Sequence, residues 1–335
     1  MRKSAILVTG ASGEVGHGLI ERLAGGSQPV VTLDVVPLPP GLARLVQREV
    51  VGSILDVALL ERLLAEYEID LVFHLAALLS TRAEFSPVTA HQVNVGGTLH
   101  LLEFAQHEAE SHGRSVVFLY PSSIAVYGLP DRDTRARAGR IPENAWTVPA
   151  SMYGCNKLYC EHLGRYYARH YKQLSARVPG ARVDFRALRF PGLISAATVP
   201  SGGTSDYAAE MIHAAARGES YACFVRPDTQ LPFMAMPDAI DALIDLSRAP
   251  ADRLSRTAYN VRAFAVTAED VRREVLRAYP MATITYRVDE RRQGIVDTWP
   301  ADIDDSIARR DWEFAPRLDF TSTLRDYVLP AIGQG

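Results

Sequence analysis

The stretch Ala5-Ile6-Leu7-Val8-Thr9-Gly10-Ala11-Ser12-Gly13-Glu14-Val15-Gly16 decides how the rest of the chain is read. Residues 5–8 form a short apolar run of the kind that makes a strand buried on both faces. Glycines at Gly10, Gly13 and Gly16 interrupt it, and residues 14–23 then carry helical periodicity. Strand, glycine turn and helix in immediate succession predict the first βα unit of a parallel sheet. The alternation continues outward. Residues 30–33 read as a second strand, 56–65 as a helix and 71–73 as a strand. Val88, Val95, Leu99 and Leu102 share one helical face. Residues 116–119 read as a strand, 151–172 as a long helix and 183–188 as the next strand. The order predicts an α/β fold, a doubly wound parallel sheet with helices on both faces.

After residue 190 the pattern loosens at Pro191, Pro200, Gly202 and Gly203, and mixed helices and strands follow. We expect a nucleotide-binding domain over residues 1–190, with a return segment near 236–262. A smaller α/β substrate-binding domain over 191–335 would close over the carboxyl edge of the sheet. A length of 335 residues accommodates both units. Composition is that of a soluble enzyme, 47% hydrophobic and 22% charged, and a net charge of −3 offers no basic surface for nucleic acid. No apolar run is long enough to span a membrane. Three cysteines, Cys155, Cys160 and Cys223, make no paired framework, so we expect a reducing compartment, the cytoplasm. No histidine pair has ligand spacing, so no metal is expected. Residues 131–140 carry four arginines and two aspartates and read either as a solvated loop or as a lid beside the site.

The glycine turn has a chemical use. Gly10, Gly13 and Gly16 let the backbone approach a pyrophosphate. The helix start at Glu14 and Val15 puts backbone N–H groups and a positive dipole end beside it. Asp34 ends the second strand, where a carboxylate accepts from both ribose hydroxyls and repels a 2′-phosphate; the residues that follow, Val35 and Val36, are not basic. The cofactor expected is NAD rather than NADP, in a Rossmann-type fold. Asp56 opens a helix after the third strand and has two open roles, a helix N-cap or a contact to the adenine amino group.

Tyr153 and Lys157 stand four apart, on one face of the long helix. A free tyrosine has a pKa of about 10 and needs roughly 4 kcal/mol of differential stabilisation to serve as a base near pH 7. A lysine ammonium and a positively charged nicotinamide together favour the phenolate. Tyr120-Pro121-Ser122-Ser123 leaves a strand at the carboxyl end of the sheet. Ser123 is placed there for a substrate hydroxyl, and Ser122 for backbone or cofactor.

The spacing of the three glycines, His74-Leu75-Ala76-Ala77 and Asn94-Val95-Gly96-Gly97-Thr98 together resemble the extended short-chain dehydrogenase family, of NAD-dependent epimerase/dehydratase type. The resemblance implies that the Leu75-Ala76-Ala77 turn lies along NAD, that Asn94 braces the sheet edge beside it, and that Pro191 belongs to the same cofactor site. His74 is expected to be a packed structural residue. Dehydratases of the family follow the catalytic hydroxyl residue with an Asp-Glu pair; Ile124 and Ala125 cannot move protons. Epimerases usually place an asparagine for the sugar-nucleotide diphosphate where this chain has Gly192.

Further blocks resemble the short-chain type of L-threonine 3-dehydrogenase. They are Leu78-Leu79-Ser80, Arg189-Phe190-Pro191-Gly192-Leu193-Ile194-Ser195, Gly203-Thr204-Ser205-Asp206-Tyr207-Ala208, 231–239, Asp297-Thr298-Trp299-Pro300 and 303–312. The resemblance implies oxidation of the threonine β-hydroxyl to 2-amino-3-oxobutanoate. Ser123, Tyr153 and Lys157 would be catalytic. Ser80, Thr204, Ser205 and Asp206 would grip the charged ends of the amino acid, and Trp299 would cover the pocket. Residues 204–206 have a second reading, a helix start capped by Ser205 or Asp206. Tyr127 stands where phenylalanine is usual and Ser205 where a second threonine is usual. The interval from Ser123 to Tyr153 is lengthened by the arginine-rich stretch, and 172–182 reads as an insertion. A sugar-nucleotide 4-epimerase and a non-catalytic NAD-sensing protein are the alternatives. By analogy, helices near 86–108 and 151–172 would pair in a homodimer, with a small-molecule substrate as the other partner.

Overall fold

The computed structural model describes residues 2–176, 180–197 and 203–332; Pro200 and Gly202, and part of the 172–182 insertion, lie outside the described residues. The central sheet has seven strands: β1 (Lys3–Thr9), β2 (Val30–Asp34), β3 (Arg48–Val51), β4 (Tyr67–His74), β5 (Val116–Ser123), β6 (Val183–Phe190) and β7 (Ala258–Asn260). Every pairing is parallel, in the order β7-β6-β5-β4-β1-β2-β3. The chain runs outward from β1 to β3, then returns to β4 on the other side. That reversal opens a crevice at the carboxyl ends of β1 and β4.

Alternation along the strands decides which face each helix covers. Ala5 and Leu7 on β1, with Leu33, Val72 and Phe118, face α2 (Val57–Glu66), α3 (Gly97–His112) and α4 (Met152–Arg169). Ile6 and Val8, with Phe73, Leu119 and Leu188, face α1 (Glu14–Leu23) and α5 (Met236–Arg248). Both faces are covered, which is why β1 reads as an unbroken apolar run. A third cluster holds Val126, Tyr127, Ile141, Tyr207, Met211, Phe233, Phe264 and Trp299. It is built on the three-stranded sheet of Gly192–Ile194, Gln230–Ala235 and Phe264–Thr267.

The third strand, placed before Asp56 without bounds, is Arg48–Val51; it is short and lies at the sheet edge. Two details differ from the sequence reading. The predicted face Val88–Val95–Leu99–Leu102 is split. Val95 and Leu102 are buried, whereas Val88 and Leu99 are exposed; Gln92–Gly96 is wound as a π-turn, which shifts the helical register between Val88 and the two leucines. The long helix ends at Arg169 rather than 172. The arginine-rich stretch contains a helix, Arg132–Arg137, capped by Asp131, whose side chain accepts from Thr134 N.

Candidate active site

A cleft of ≈ 580 Å³ opens along the carboxyl ends of β1, β2, β4, β5 and β6. Gly10, Gly13, Glu14, Val15 and Gly16 form one end of its wall, with Asp34 beside them. Gly10 has φ +69°, and a Cβ there would sit 2.4 Å from Ala76 N, so the first turn lies directly against the Leu75-Ala76-Ala77 turn. A Cβ at Gly16 would meet Ala11 O at 2.4 Å, which lets α1 start tight against the turn. The Asp34 carboxylate accepts from Ser12 N at 2.9 Å and from Val36 N at 3.0 Å, which fixes its direction at the cleft rim.

Two residues expected at the cofactor site, Asp56 and Asn94, are not part of the cleft wall. Asp56 takes the first of its two open roles: it caps α2 by accepting from Leu59 N at 3.0 Å, while Gly52, Ser53 and Ile54 form the cleft wall there. Asn94 is buried behind the wall. It accepts from Leu78 N at 2.7 Å and donates to Leu78 O at 3.1 Å, holding the turn that runs into Leu79 and Ser80.

Ser123, Tyr153 and Lys157 meet in the middle of the cleft. Ser151 caps α4 by accepting from Gly154 N, and Gly154 lies so close to Ala125 O that a Cβ there would approach it to 2.0 Å. This contact seats the first turn of α4 on the segment that follows β5. Ser123 Oγ accepts from Ala125 N at 3.1 Å and starts a 3₁₀ turn. Lys157 is buried. Its Nζ donates to Pro121 O at 2.6 Å and lies 5.4 Å from the centre of the Tyr153 ring. Burial pulls the Lys157 pKa down to about 8, against the opposing influence of Cys160 and Glu161. Burial pushes the Tyr153 phenol upward, so the chain alone does not make it acidic. His74 is buried between Thr9 Oγ1 (2.8 Å) and Thr98 Oγ1 (2.9 Å). Burial, helped by the Lys157 charge, lowers its pKa to about 3.

The far wall comes from distant segments: Ser80, Phe190, Pro191, Leu193, Ser205, Asp206 and Trp299. Thr204 lies behind it. Thr204 N and Oγ1 both donate to Ser80 Oγ, at 3.2 and 3.1 Å, so it positions Ser80 instead of facing the cleft. Asp206 stands at the start of the helix Tyr207–Ala216 but does not cap it with its side chain; its carboxylate accepts from Gly203 N at 2.5 Å.

Residues 6–261 match the family described as NAD dependent epimerase/dehydratase. The chain belongs to the NAD-dependent epimerase/dehydratase family. Its cofactor is NAD, and it is an oxidoreductase. It is 36% identical to an uncharacterised epimerase/dehydratase of Staphylococcus haemolyticus, over 98% of this chain and 97% of that one. It is 35% identical to the mitochondrial L-threonine 3-dehydrogenase of Bos taurus, over 94% and 79%. The solved holo L-threonine dehydrogenase of Cupriavidus necator superposes with a TM-score of 0.84 at 34% identity, covering 97% of this chain and 99% of that chain.

Sequence reading missed a buried network under this epimerase/dehydratase-family site. Ser122 Oγ donates to Glu161 Oε1 at 2.5 Å, and Glu161 takes two further bonds from Arg189, at 2.9 and 2.7 Å. Arg189 also donates to Tyr127 Oη at 2.9 Å and Glu143 O at 2.7 Å, and Tyr127 donates to Asn260 Oδ1 at 2.7 Å. Tyr127, noted in the sequence as a departure from phenylalanine, uses its hydroxyl here. A charged pair separated by 28 positions, one partner on a helix and one on a strand, leaves no local pattern to read.

The glycine cradle yields a direct test. Gly10→Ala forces a side chain into a left-handed backbone and into Ala76 N, so we expect a tenfold or greater loss of NAD affinity with the fold retained. Calorimetric titration with NAD⁺ reads it, and wild-type affinity in this variant would exclude the turn as the pyrophosphate seat.

Proposed function

We propose that the protein oxidises the β-hydroxyl of L-threonine, or of a close β-hydroxy acid, to the 3-oxo acid. Supporting this is the meeting, in one cleft, of Ser123, Tyr153 and Lys157 with the short polar groups of Ser80, Ser205 and Asp206 under Trp299. A small zwitterion needs short groups of this kind. A nucleotide sugar needs an anchor for its diphosphate, and Gly192 offers none: a Cβ there would lie 2.5 Å from the Phe233 ring, so no side chain fits. That contact disfavours the sugar-nucleotide epimerase reading.

In this reading, residues 1–190 with the returning segment near 236–262 bind the nucleotide, and 191–335 bind substrate. Gly10, Gly13, Glu14, Val15 and Gly16 receive the pyrophosphate, Asp34 a ribose, and Leu75, Ala76, Ala77 and Pro191 the nicotinamide half. Bound NAD⁺ supplies the oxidant and a positive charge beside the phenol. Tyr153 takes the proton of the β-hydroxyl. Ser123 donates to the oxygen as it becomes a carbonyl. Lys157, fixed on Pro121 O, holds a second positive charge near the phenol. Because burial opposes ionisation of Tyr153, both charges are required to bring it into range. Asp206 faces the substrate ammonium, the hydroxyls of Ser80 and Ser205 face the carboxylate, and Trp299 excludes water.

We also place the protein in the cytoplasm, consistent with Cys155, Cys160 and Cys223 being free thiols. Among the described residues, no helix is long and apolar enough to cross a membrane. We propose a homodimer through the outer faces of 80–112 and α4, where Phe85, Val88, Leu99, Tyr159 and Tyr166 are exposed apolar or aromatic side chains; Phe85 is 83% exposed.

Absorbance at 340 nm should rise when NAD⁺ and L-threonine are added, and Tyr153→Phe should lower kcat by about 10²–10⁴-fold. No rise over a wide threonine range would remove threonine as the substrate. The pH profile has a defined sign. The required form of Tyr153 is ionised, so kcat/KM should rise with pH. Lys157→Met removes a positive charge that favours the phenolate, so the rising limb should move to higher pH by a unit or more; a shift to lower pH would refute the role given to Lys157. Phe85→Glu should shift the sedimentation mass from two chains to one, whereas a wild-type protein sedimenting as one chain would refute the dimer.

A further inference from the structure

The arginine-rich stretch 131–140, read from sequence as a solvated loop or a lid, is mostly exposed and contains the helix Arg132–Arg137. It runs along the segment that carries Trp299 and is tied to it at three successive points. Leu129 N donates to Thr298 O at 2.8 Å. Arg135 Nε donates to Trp299 O at 2.6 Å, and its Nη2 donates to Gln230 O. Beyond these, Arg140 and Ile141 pair in parallel with Asp302 and Ile303. Arg132 adds a surface ion pair to Asp228 at 2.9 Å, with both side chains mostly exposed. Surface pairs of this kind contribute little, whereas a partly buried guanidinium satisfying two backbone carbonyls is expensive to remove.

Trp299 itself is 4% exposed and lines the same cleft as Tyr153. It follows the helix Glu290–Asp297, and its own N–H is taken by Val296 O. Its indole is therefore aimed by the backbone on either side, which Arg135 grips at Trp299 O and Gln230, through its Nε2, at Ala301 O, 3.3 Å away.

We propose that Arg135 is a positioning residue for substrate: helix Arg132–Arg137 is a strut that holds the Trp299 wall at the depth set for a small substrate. Arg135 does not itself line the cleft. It acts by bridging Trp299 O to Gln230 O, which joins the wall to the three-stranded sheet. The strut occupies the interval that is lengthened in this chain between Ser123 and Tyr153, so it tunes the pocket independently of the catalytic residues. The inference rests on the reading of Trp299 as a substrate wall.

The test uses full-length Arg135→Met, which keeps the stem volume and loses every donor, with Arg135→Lys and Trp299→Ala beside it. The probe is L-threonine with NAD⁺. Arg135→Met should raise the threonine KM about tenfold, because a displaced Trp299 wall no longer holds the substrate in place. The kcat should stay within about threefold and the KM for NAD⁺ should not move. Arg135→Lys should restore most of the affinity. Amide hydrogen exchange over 298–301 should quicken in Arg135→Met whatever the substrate proves to be. An unchanged threonine KM in Arg135→Met with a raised one in Trp299→Ala would overturn the strut and leave the wall intact. Unchanged exchange over 298–301 would also overturn the strut. An unchanged KM in Trp299→Ala would instead overturn the wall itself.

Discussion

The ion pair between Glu161 on α4 and Arg189 on β6 is the constraint on which the site depends. Both side chains are 5% exposed, so each charge has lost most of its water. Burial acts to lower the Arg189 pKa, but the Glu161 carboxylate overrides it and holds the guanidinium firmly charged. A buried pair of this kind is poor evidence for extra stability, because desolvation offsets much of the attraction. Its consequence is geometric. Breaking it from one side would leave an uncompensated buried charge, at a cost of about 3–5 kcal/mol, so α4 cannot slide along the sheet. The register of α4 decides whether Tyr153 and Lys157 face Ser123, and Ser122 is bonded to the same carboxylate.

The pair also reaches beyond the sheet. Through Arg189 it engages Tyr127 and Glu143, and through Tyr127 it reaches Asn260 at the end of β7. Asn260 in turn donates to Ile141 O and Asp304 O. One connected set of buried polar groups therefore joins the nucleotide side of the cleft to the segments that carry Trp299. Burial raises the Tyr127 pKa to about 12, with Arg189 opposing, so its hydroxyl stays protonated and can both accept from Arg189 and donate to Asn260. A phenylalanine there would leave Asn260 and Arg189 each short of a partner.

What was legible in the sequence was whatever has a local cause. β1, the glycine turn and α1 could be placed because burial on two faces, left-handed backbone and helix periodicity each leave a mark within a few residues. Tyr153 and Lys157 could be paired because a helix brings positions four apart together. The edge strand Arg48–Val51 left no such mark, since it is short, opens on two charged residues and buries only Val50. Asp56 was ambiguous for a physical reason: a carboxylate before a helix is the same signal whether it caps or binds. The π-turn at Gln92–Gly96 misled the periodicity argument, since a single wide turn rotates everything after it. Thr204 was grouped with the cleft residues because it adjoins them in sequence, yet the chain turns it toward Ser80.

The expectation that a lysine ammonium and a positive nicotinamide together favour the Tyr153 phenolate gives the two charges unequal parts. A lysine lowers a phenol pKa only to the extent that it is itself charged, and burial draws Lys157 toward neutrality at about pH 8 while raising the phenol. Two groups desolvated together do not activate each other without a further charge. The carboxylate of Glu161 helps keep the lysine protonated, and the positive charge of NAD⁺ then falls on the phenol. Burial alone therefore does not make Tyr153 acidic, and in the mechanism proposed above the base would exist only once the cofactor is in place. An ordered requirement of that kind suits a dehydrogenase, because a proton removed before the oxidant is bound would achieve nothing.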